Sequence, residues 1–172
     1  MNKLYRLLRY DWPLHFVLIF TNWFPNNVAL IKFRGMLARP FFKKCGKGLQ
    51  IQRNVTFYNS AQIILGENVI IAYGCWLNAS IQDSVVIEDN VGLAPYVVIV
   101  SGGYELSSNG RVPMPGKILI KKGVWIGSHS TVIKDIIIGE NSVIAANTLV
   151  TRNVPDRCIF AGNPGKKICN IV

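Results

Sequence analysis

From residue 49 onward, aliphatic side chains return at every sixth position. Ile120, Ile126, Val132, Ile138, Ile144 and Val150 share one frame, and the positions four further on are Val124, Ser130, Ile136, Ser142, Thr148 and Val154. An earlier run holds Leu65, Ile71 and Leu77, and after a shift of four residues Ile81, Ile87, Leu93 and Ile99. A strict period of six, with small or β-branched residues at the fifth place, describes one side of a solenoid coil that stacks on the next. The pattern predicts an all-β solenoid over residues 49–172. Its inward aliphatics form continuous ladders, and Gly66-Glu67-Asn68, Glu88-Asp89-Asn90 and Gly139-Glu140-Asn141 turn the corners between short strands. Residues 101–117, rich in Gly, Pro and Ser, break the frame and form a loop excursion, the place where specific chemistry concentrates on a regular scaffold.

Residues 1–48 read differently. Leu4, Leu7 and Leu8 alternate with Lys3, Arg6 and Arg9, an amphipathic helical pattern. Asp11 is placed to cap a helix whose first turn holds Pro13, Pro25-Asn26-Asn27 breaks the chain before a second helix over Val28–Leu37, and Gly46 and Gly48 end the segment. The division is therefore a basic amphipathic helical segment, residues 1–48, followed by the solenoid with its excursion and a C-terminal cap. An apolar face joined to a basic face suits an anionic membrane surface, and it equally suits packing on the solenoid or on a neighbouring subunit.

Charge sharpens this division. The chain of 172 residues carries 19 Lys and Arg against 9 Asp and Glu, a net charge of +10. Residues 1–50 hold Lys3, Arg6, Arg9, Lys32, Arg34, Arg39, Lys43, Lys44 and Lys47 against Asp11 alone, so the excess is an N-terminal property. Because it sits on an apolar segment and no stacking motif or recognition helix accompanies it, nucleic-acid binding is not expected. The longest uncharged apolar stretch, Pro13 to Phe24, is short of the ~20 residues that a spanning helix needs. Asp11 before it and Asn22-Trp23-Phe24-Pro25 after it do not make a secretory signal, and a cytoplasmic protein is expected, peripheral on the inner face of the membrane if the basic helices bind there. Cys45, Cys75, Cys158 and Cys169 have no metal-ligand spacing, so no metal is expected and the thiols read as reduced and structural.

Over residues 46–169 the sequence resembles the hexapeptide-repeat acyltransferases, in particular the O-acetyltransferases of sugars and bacterial polysaccharides. The resemblance is carried by Val124-Trp125-Ile126-Gly127-Ser128-His129, by Ile138-Gly139-Glu140-Asn141-Ser142-Val143-Ile144-Ala145-Ala146, and by Val154-Pro155-Asp156 through Ala161-Gly162-Asn163-Pro164-Gly165-Lys166. It implies a left-handed parallel β-helix, a homotrimer with active sites in the grooves between subunits, acetyl-CoA as donor and a saccharide acceptor. It also implies a histidine base in the loop after a run like Ala94-Pro95-Tyr96-Val97-Val98-Ile99-Val100, since an acceptor hydroxyl attacks a thioester poorly until its proton is removed.

Here that loop reads Ser101-Gly102-Gly103-Tyr104, with tyrosine in the histidine's place. A phenol of pKa near ~10 is a poor base at neutral pH unless nearby cations lower it. Three explanations stay open: Glu105 or His129 acts as the base, the acceptor is an amino sugar whose free amine needs none, or the chain is a catalytically silent relative. By the same resemblance Trp125, Gly127, Ser128, Ala145 and Ala146 line the pantetheine groove, Thr151, Arg152 and Lys166 lie toward the nucleotide, and Tyr73 and Asn78 face the acceptor. The function expected first is acetyl-CoA-dependent O-acetylation of a cell-surface saccharide or its lipid-linked precursor.

Overall fold

The computed structural model describes residues 3–80, 85–108 and 110–171. Ile81 of the six-residue frame lies outside them. The rest of the frame folds as expected, into a parallel β-solenoid with three sheets. The first sheet stacks Lys44–Cys45, Ile63–Leu65, Val85–Ile87, Ile118–Ile120 and Ile136–Ile138. The second stacks Gln50–Ile51, Ile70–Ile71, Gly92–Leu93, Trp125–Ile126, Val143–Ile144 and Cys158–Gly162, and the third Thr56–Tyr58, Trp76–Asn78, Val98–Val100, Thr131–Val132 and Leu149–Val150. Each coil thus visits three faces, and the parallel register carries one coil onto the next: Ile118 pairs with Val85 below and Ile136 above.

An aliphatic ladder lines the inside of each face, and on the first a second one, Ile63, Val85, Ile118 and Ile136, runs beside it. Leu65, Ile87, Ile120 and Ile138 stand on the first, Ile71, Leu93, Ile126 and Ile144 on the second, and Leu77, Ile99, Val132 and Val150 on the third, all essentially inaccessible to solvent. Burying each such side chain stabilises by about 1.5–3 kcal/mol, which is what a coil of two- and three-residue strands needs to hold its shape. Sharp corners follow from residues that tolerate a left-handed backbone. On the edge between the second and third sheets that place is taken in turn by Asn54, Gly74, Tyr96, His129 and Asn147, with φ of 58°, 69°, 61°, 60° and 56°. Asn and Gly suit it, His tolerates it, and Tyr takes it at a cost; Tyr and His mark the middle coils.

The chain leaves the frame mainly on the edge between the third and first sheets. There Gly102–Ser107 and Gly110–Pro115 form an antiparallel hairpin that projects from the solenoid, with Tyr104 opposite Pro113 and Glu105 opposite Val112. At the far end Gly165–Asn170 folds back antiparallel on Cys158–Gly162.

The helical segment covers the first coil. Helix α1 (Lys3–Arg6) runs through a π-helical turn, Leu7–Asp11, into α2 (Trp12–Asn22), and α3 (Val28–Ala38) follows. Asn27 caps α3 by accepting from the Leu30 N–H at 2.8 Å. Asp11 does not cap α2: it is itself helical, pairs with Arg6 at 3.5 Å and accepts from the Ser60 N–H and hydroxyl. It is diverted because the first coil has backbone donors that need acceptors; the Asn26 side chain takes the Arg53 N–H and the Asn22 side chain takes the Asn54 N–H. Gly35 lets α3 meet the coil backbone to backbone, since a Cβ there would lie 1.9 Å from the Leu49 carbonyl oxygen.

Arg34 joins these parts. Its fully buried guanidinium donates to the Ile51 carbonyl of the first coil at 2.8 Å, to the Thr21 carbonyl at 2.8 Å and to the Phe24 carbonyl at 3.4 Å, with further bonds to the Thr21 hydroxyl and the Asn26 side chain. A cation at the C-terminal carbonyls of α2 also suits the negative end of the helix dipole. Burial, then the nearby Arg53 charge, lower its pKa from the ordinary arginine value. Burial pushes the Cys45 and Cys75 thiols up to about 11, so both stay protonated near neutral pH.

Candidate active site

The sequence-derived site residues divide between two edges of the prism. On the edge between the second and third sheets, the Trp125 ring lies over Gly92 one coil below, which makes room for it: a Cβ at Gly92 would sit 2.5 Å from the indole ring. Two residues on, the Gly127 N–H donates to the Ile144 carbonyl at 2.8 Å, and a Cβ there would sit 2.6 Å from the Ala146 nitrogen. The Asn147 N–H donates to the Ser128 carbonyl at 2.9 Å. Gly127, Ser128, Ala145 and Ala146 are therefore two storeys of one shelf, with backbone close to the surface and the half-exposed Trp125 ring at its side. Small residues of this kind let a thin chain approach peptide groups closely.

His129 ends the lower storey. It takes the left-handed corner place, its N–H donates to the Pro95 carbonyl at 3.1 Å, and its ring stacks on Tyr96 with centroids 4.9 Å apart. Tyr96 in turn lies over Gly74 and meets Tyr73 edge-on at 5.5 Å, and the Asn54 side-chain amide donates to the Tyr73 hydroxyl at 2.6 Å. Tyr73, Tyr96 and His129 are thus successive rungs of an aromatic column that ends at the exposed imidazole. Lys166, exposed on the C-terminal hairpin and paired with Ala161, continues this edge upward, since the Ala145 N–H donates to Phe160 one coil on.

The other residues belong to the edge between the third and first sheets. Asn78 accepts at its carbonyl from the Ser101 N–H at 3.0 Å, directly beneath the root of the hairpin. Tyr104 is 71% exposed on that hairpin, and Glu105, also exposed, points to the opposite face of the ribbon, as neighbours in a strand do. Lys134 packs over Gly103 at the hairpin root. Thr151 and Arg152 are exposed two coils above, where the chain leaves the third sheet after Leu149–Val150. Within one chain, then, Trp125, the shelf and His129 are separated from Tyr104, Glu105, Thr151 and Arg152 by the width of the third sheet. Tyr73 and Asn78 are divided in the same way.

Sequence reasoning missed Gly92, Gly74 and Tyr96, which position Trp125 and His129. The signal was available for the glycines: Gly92 breaks the aliphatic habit of the place before a ladder residue, and Gly74 stands at a corner. Nothing local marks Tyr96, whose role comes from the coil above it.

Residues 117–152 match the family described as bacterial transferase hexapeptide (six repeats). The galactoside O-acetyltransferase of Escherichia coli is 33% identical over 152 residues, which span 85% of this chain and 72% of the relative. Among solved structures, a maltose O-acetyltransferase from Clostridium difficile superposes with a TM-score of 0.84 at 26% identity, covering 99% of this chain and 90% of its own. A galactoside acetyltransferase in complex with coenzyme A superposes with a TM-score of 0.79, also at 26% identity, over 100% of this chain and 84% of its own. With the six-residue ladders, the three-sheet coil and a full-length likeness of this order, the chain belongs to the hexapeptide-repeat acetyltransferases and is an acyltransferase enzyme of the sugar O-acetyltransferase type.

Proposed function

We propose that the protein transfers the acetyl group of acetyl-CoA to a sugar hydroxyl of a bacterial cell-surface polysaccharide or its lipid-linked precursor, working in the cytoplasm as a homotrimer. The observation that carries the reading is the shelf of Gly127, Ser128, Ala145 and Ala146 beside Trp125, in a chain similar along its length to an acetyltransferase that holds coenzyme A. In this reading the shelf and Trp125 line the pantetheine arm, Lys166, Thr151 and Arg152 meet the nucleotide phosphates, and Tyr73 and Asn78 face the acceptor. The homotrimer is supported by the division of these residues between two edges: a second copy laid against the shelf edge supplies the hairpin edge and completes a groove.

In the reaction the acceptor oxygen bonds to the thioester carbonyl carbon, the carbon–sulfur bond breaks and the thiol of coenzyme A leaves, while the hydroxyl proton passes to a base. Glu105 and His129 are the alternatives offered for that proton; Tyr104, on the opposite face of the hairpin from Glu105, orients the acceptor toward His129. A second reading, N-acetylation of an amino sugar, is favoured by Tyr104 itself, because a free amine attacks without an enzyme base.

Labelled acetyl transfer to galactosides, maltose, lipid-linked glycans and amino sugars tests both readings. Label on oxygen is expected. Label on nitrogen alone would replace the first reading by the second, and coenzyme A binding without transfer to either would make the chain a silent relative. Restoring histidine by Tyr104→His is expected to raise hydroxyl acetylation, since a positioned base contributes about 10²–10⁴-fold.

A further inference from the structure

Helix α2 and the turn before it have two unlike faces. Leu14, Leu18 and Thr21 are buried against the body of the protein, whereas Leu8, Trp12, Phe16, Ile19, Phe20 and Trp23 form a row on the opposite side. Trp23 is 91% exposed, Phe16 65% and Phe20 64%. Spacings of three and four residues put the whole row on one stripe of the helix. The segment cannot roll to hide it, because Arg34, Asn22, Asn26 and Asp11 tie it to the first coil. A contiguous aromatic stripe left in water is the signature of an interaction surface.

We infer that this stripe docks the enzyme on an anionic lipid bilayer, with α2 lying in the plane of the membrane surface. Charge selects the partner. Lys3, Arg9 and Lys32 are exposed in the same segment, Lys43 and Lys44 are exposed where it runs into the first sheet, and the single carboxylate of residues 3–48, Asp11, is turned inward onto Ser60 and Arg6. Such a surface attracts anionic headgroups at roughly 1 kcal/mol per cation, while Trp12 and Trp23 at the two ends of α2 suit the headgroup layer. A second copy is disfavoured as occupant, because two segments of this charge repel when brought face to face. Among the described residues no helix is long and apolar enough to cross a membrane, so the contact is with one surface. Docking is independent of acetyl transfer; only the choice of a lipid-linked acceptor rests on the function proposed above.

The full chain should sediment with vesicles containing about one quarter phosphatidylglycerol, and release as salt is raised. It should bind pure phosphatidylcholine vesicles at least about tenfold more weakly. The double substitution Phe16→Ser with Phe20→Ser, on the exposed face, should leave the circular dichroism and acetylation of a soluble sugar unchanged and weaken vesicle binding on the order of tenfold or more. Lys32→Glu with Lys43→Glu should do the same through charge. Vesicle binding that ignores both double variants would overturn the docking surface. So would a concentration-dependent self-association in the absence of lipid that Phe16→Ser with Phe20→Ser abolishes, which would assign the stripe to contacts between copies. Loss of acetyl transfer to every acceptor with vesicle binding intact would count against the proposed function and leave the docking surface standing.

Discussion

At the scale of single residues, the most informative position is His129. It is one member of a corner column in which the backbone is left-handed in each coil, and Asn and Gly occupy the other ends of that column. The histidine there stacks on Tyr96. His129→Asn is therefore the cleaner probe than His129→Ala: asparagine accepts the left-handed place, so the melting temperature should stay within a few degrees while the imidazole is gone. If His129 takes the acceptor proton, kcat should fall by about 10²-fold or more with KM for acetyl-CoA unchanged. A rise in that KM instead would put the ring in the donor groove. Gly92 and Gly127 make a second contrast. Gly92→Ala meets only the half-exposed Trp125 ring, which can swing outward, so stability should change by less than about 1 kcal/mol while tryptophan emission shifts and acetyl-CoA binding weakens. Gly127→Ala meets the backbone of Ala145 and Ala146, which cannot swing, and should destabilise by about 1–3 kcal/mol in thermal unfolding.

At the scale of elements, the junction of the helical segment with the first coil depends on one buried cation. Arg34 serves carbonyls at the end of α2, in the following loop and in the second sheet. Arg34→Met keeps the length of the side chain and removes the donors, taking the buried Ile51 carbonyl's partner at a cost of roughly 1–3 kcal/mol and leaving the Thr21 carbonyl only its backbone donors. A loss of about 3–5 kcal/mol in denaturant unfolding is expected, or a separate early transition as the helices detach from an intact solenoid. Unchanged stability would mean that packing of Leu14, Leu18 and Gly35 suffices. The hairpin is the opposite kind of element: its strands are mostly exposed, and Tyr104 and Leu106 have little of this chain to pack against. Its order comes from its own ladder of pairs and from Lys134 at its root.

At the scale of the whole molecule, the prism presents the shelf on one edge and the hairpin on another, and in the homotrimer proposed above a complete groove takes two copies. This has a specific consequence. A chain carrying Trp125→Ala is defective on the shelf edge alone, and one carrying Tyr104→Phe with Glu105→Gln is defective on the hairpin edge alone. Unfolded, mixed and refolded together, they should, under the proposed assembly, form hybrid trimers in which one groove combines two intact edges. The mixture should recover acetyl transfer that neither variant shows by itself, and light scattering should give three copies. No recovery from a mixture that does form hybrid trimers would mean that each chain builds its own groove.

The solenoid was legible in the sequence because its cause is local and repeated: Ile126, Ile144 and their counterparts recur at six because each coil must bury at least one aliphatic per face. The same regularity made the excursion at 101–117 stand out, and it placed Trp125 and the small residues after it in adjacent coils. Tertiary structure decided what depends on neighbours from other coils. Gly92 matters only because an indole arrives 33 residues later in the strand above it, and Tyr96 only because His129 stacks on it. Asp11 has the sequence of a helix cap and becomes instead an acceptor for Ser60, and Arg34, one cation among nine in the first 50 residues, turns inward as the pin of the helical segment. The separation of the site residues onto two edges is likewise invisible along the chain, since a period of six records that three faces repeat but not which edge a given corner occupies once insertions have shifted the count.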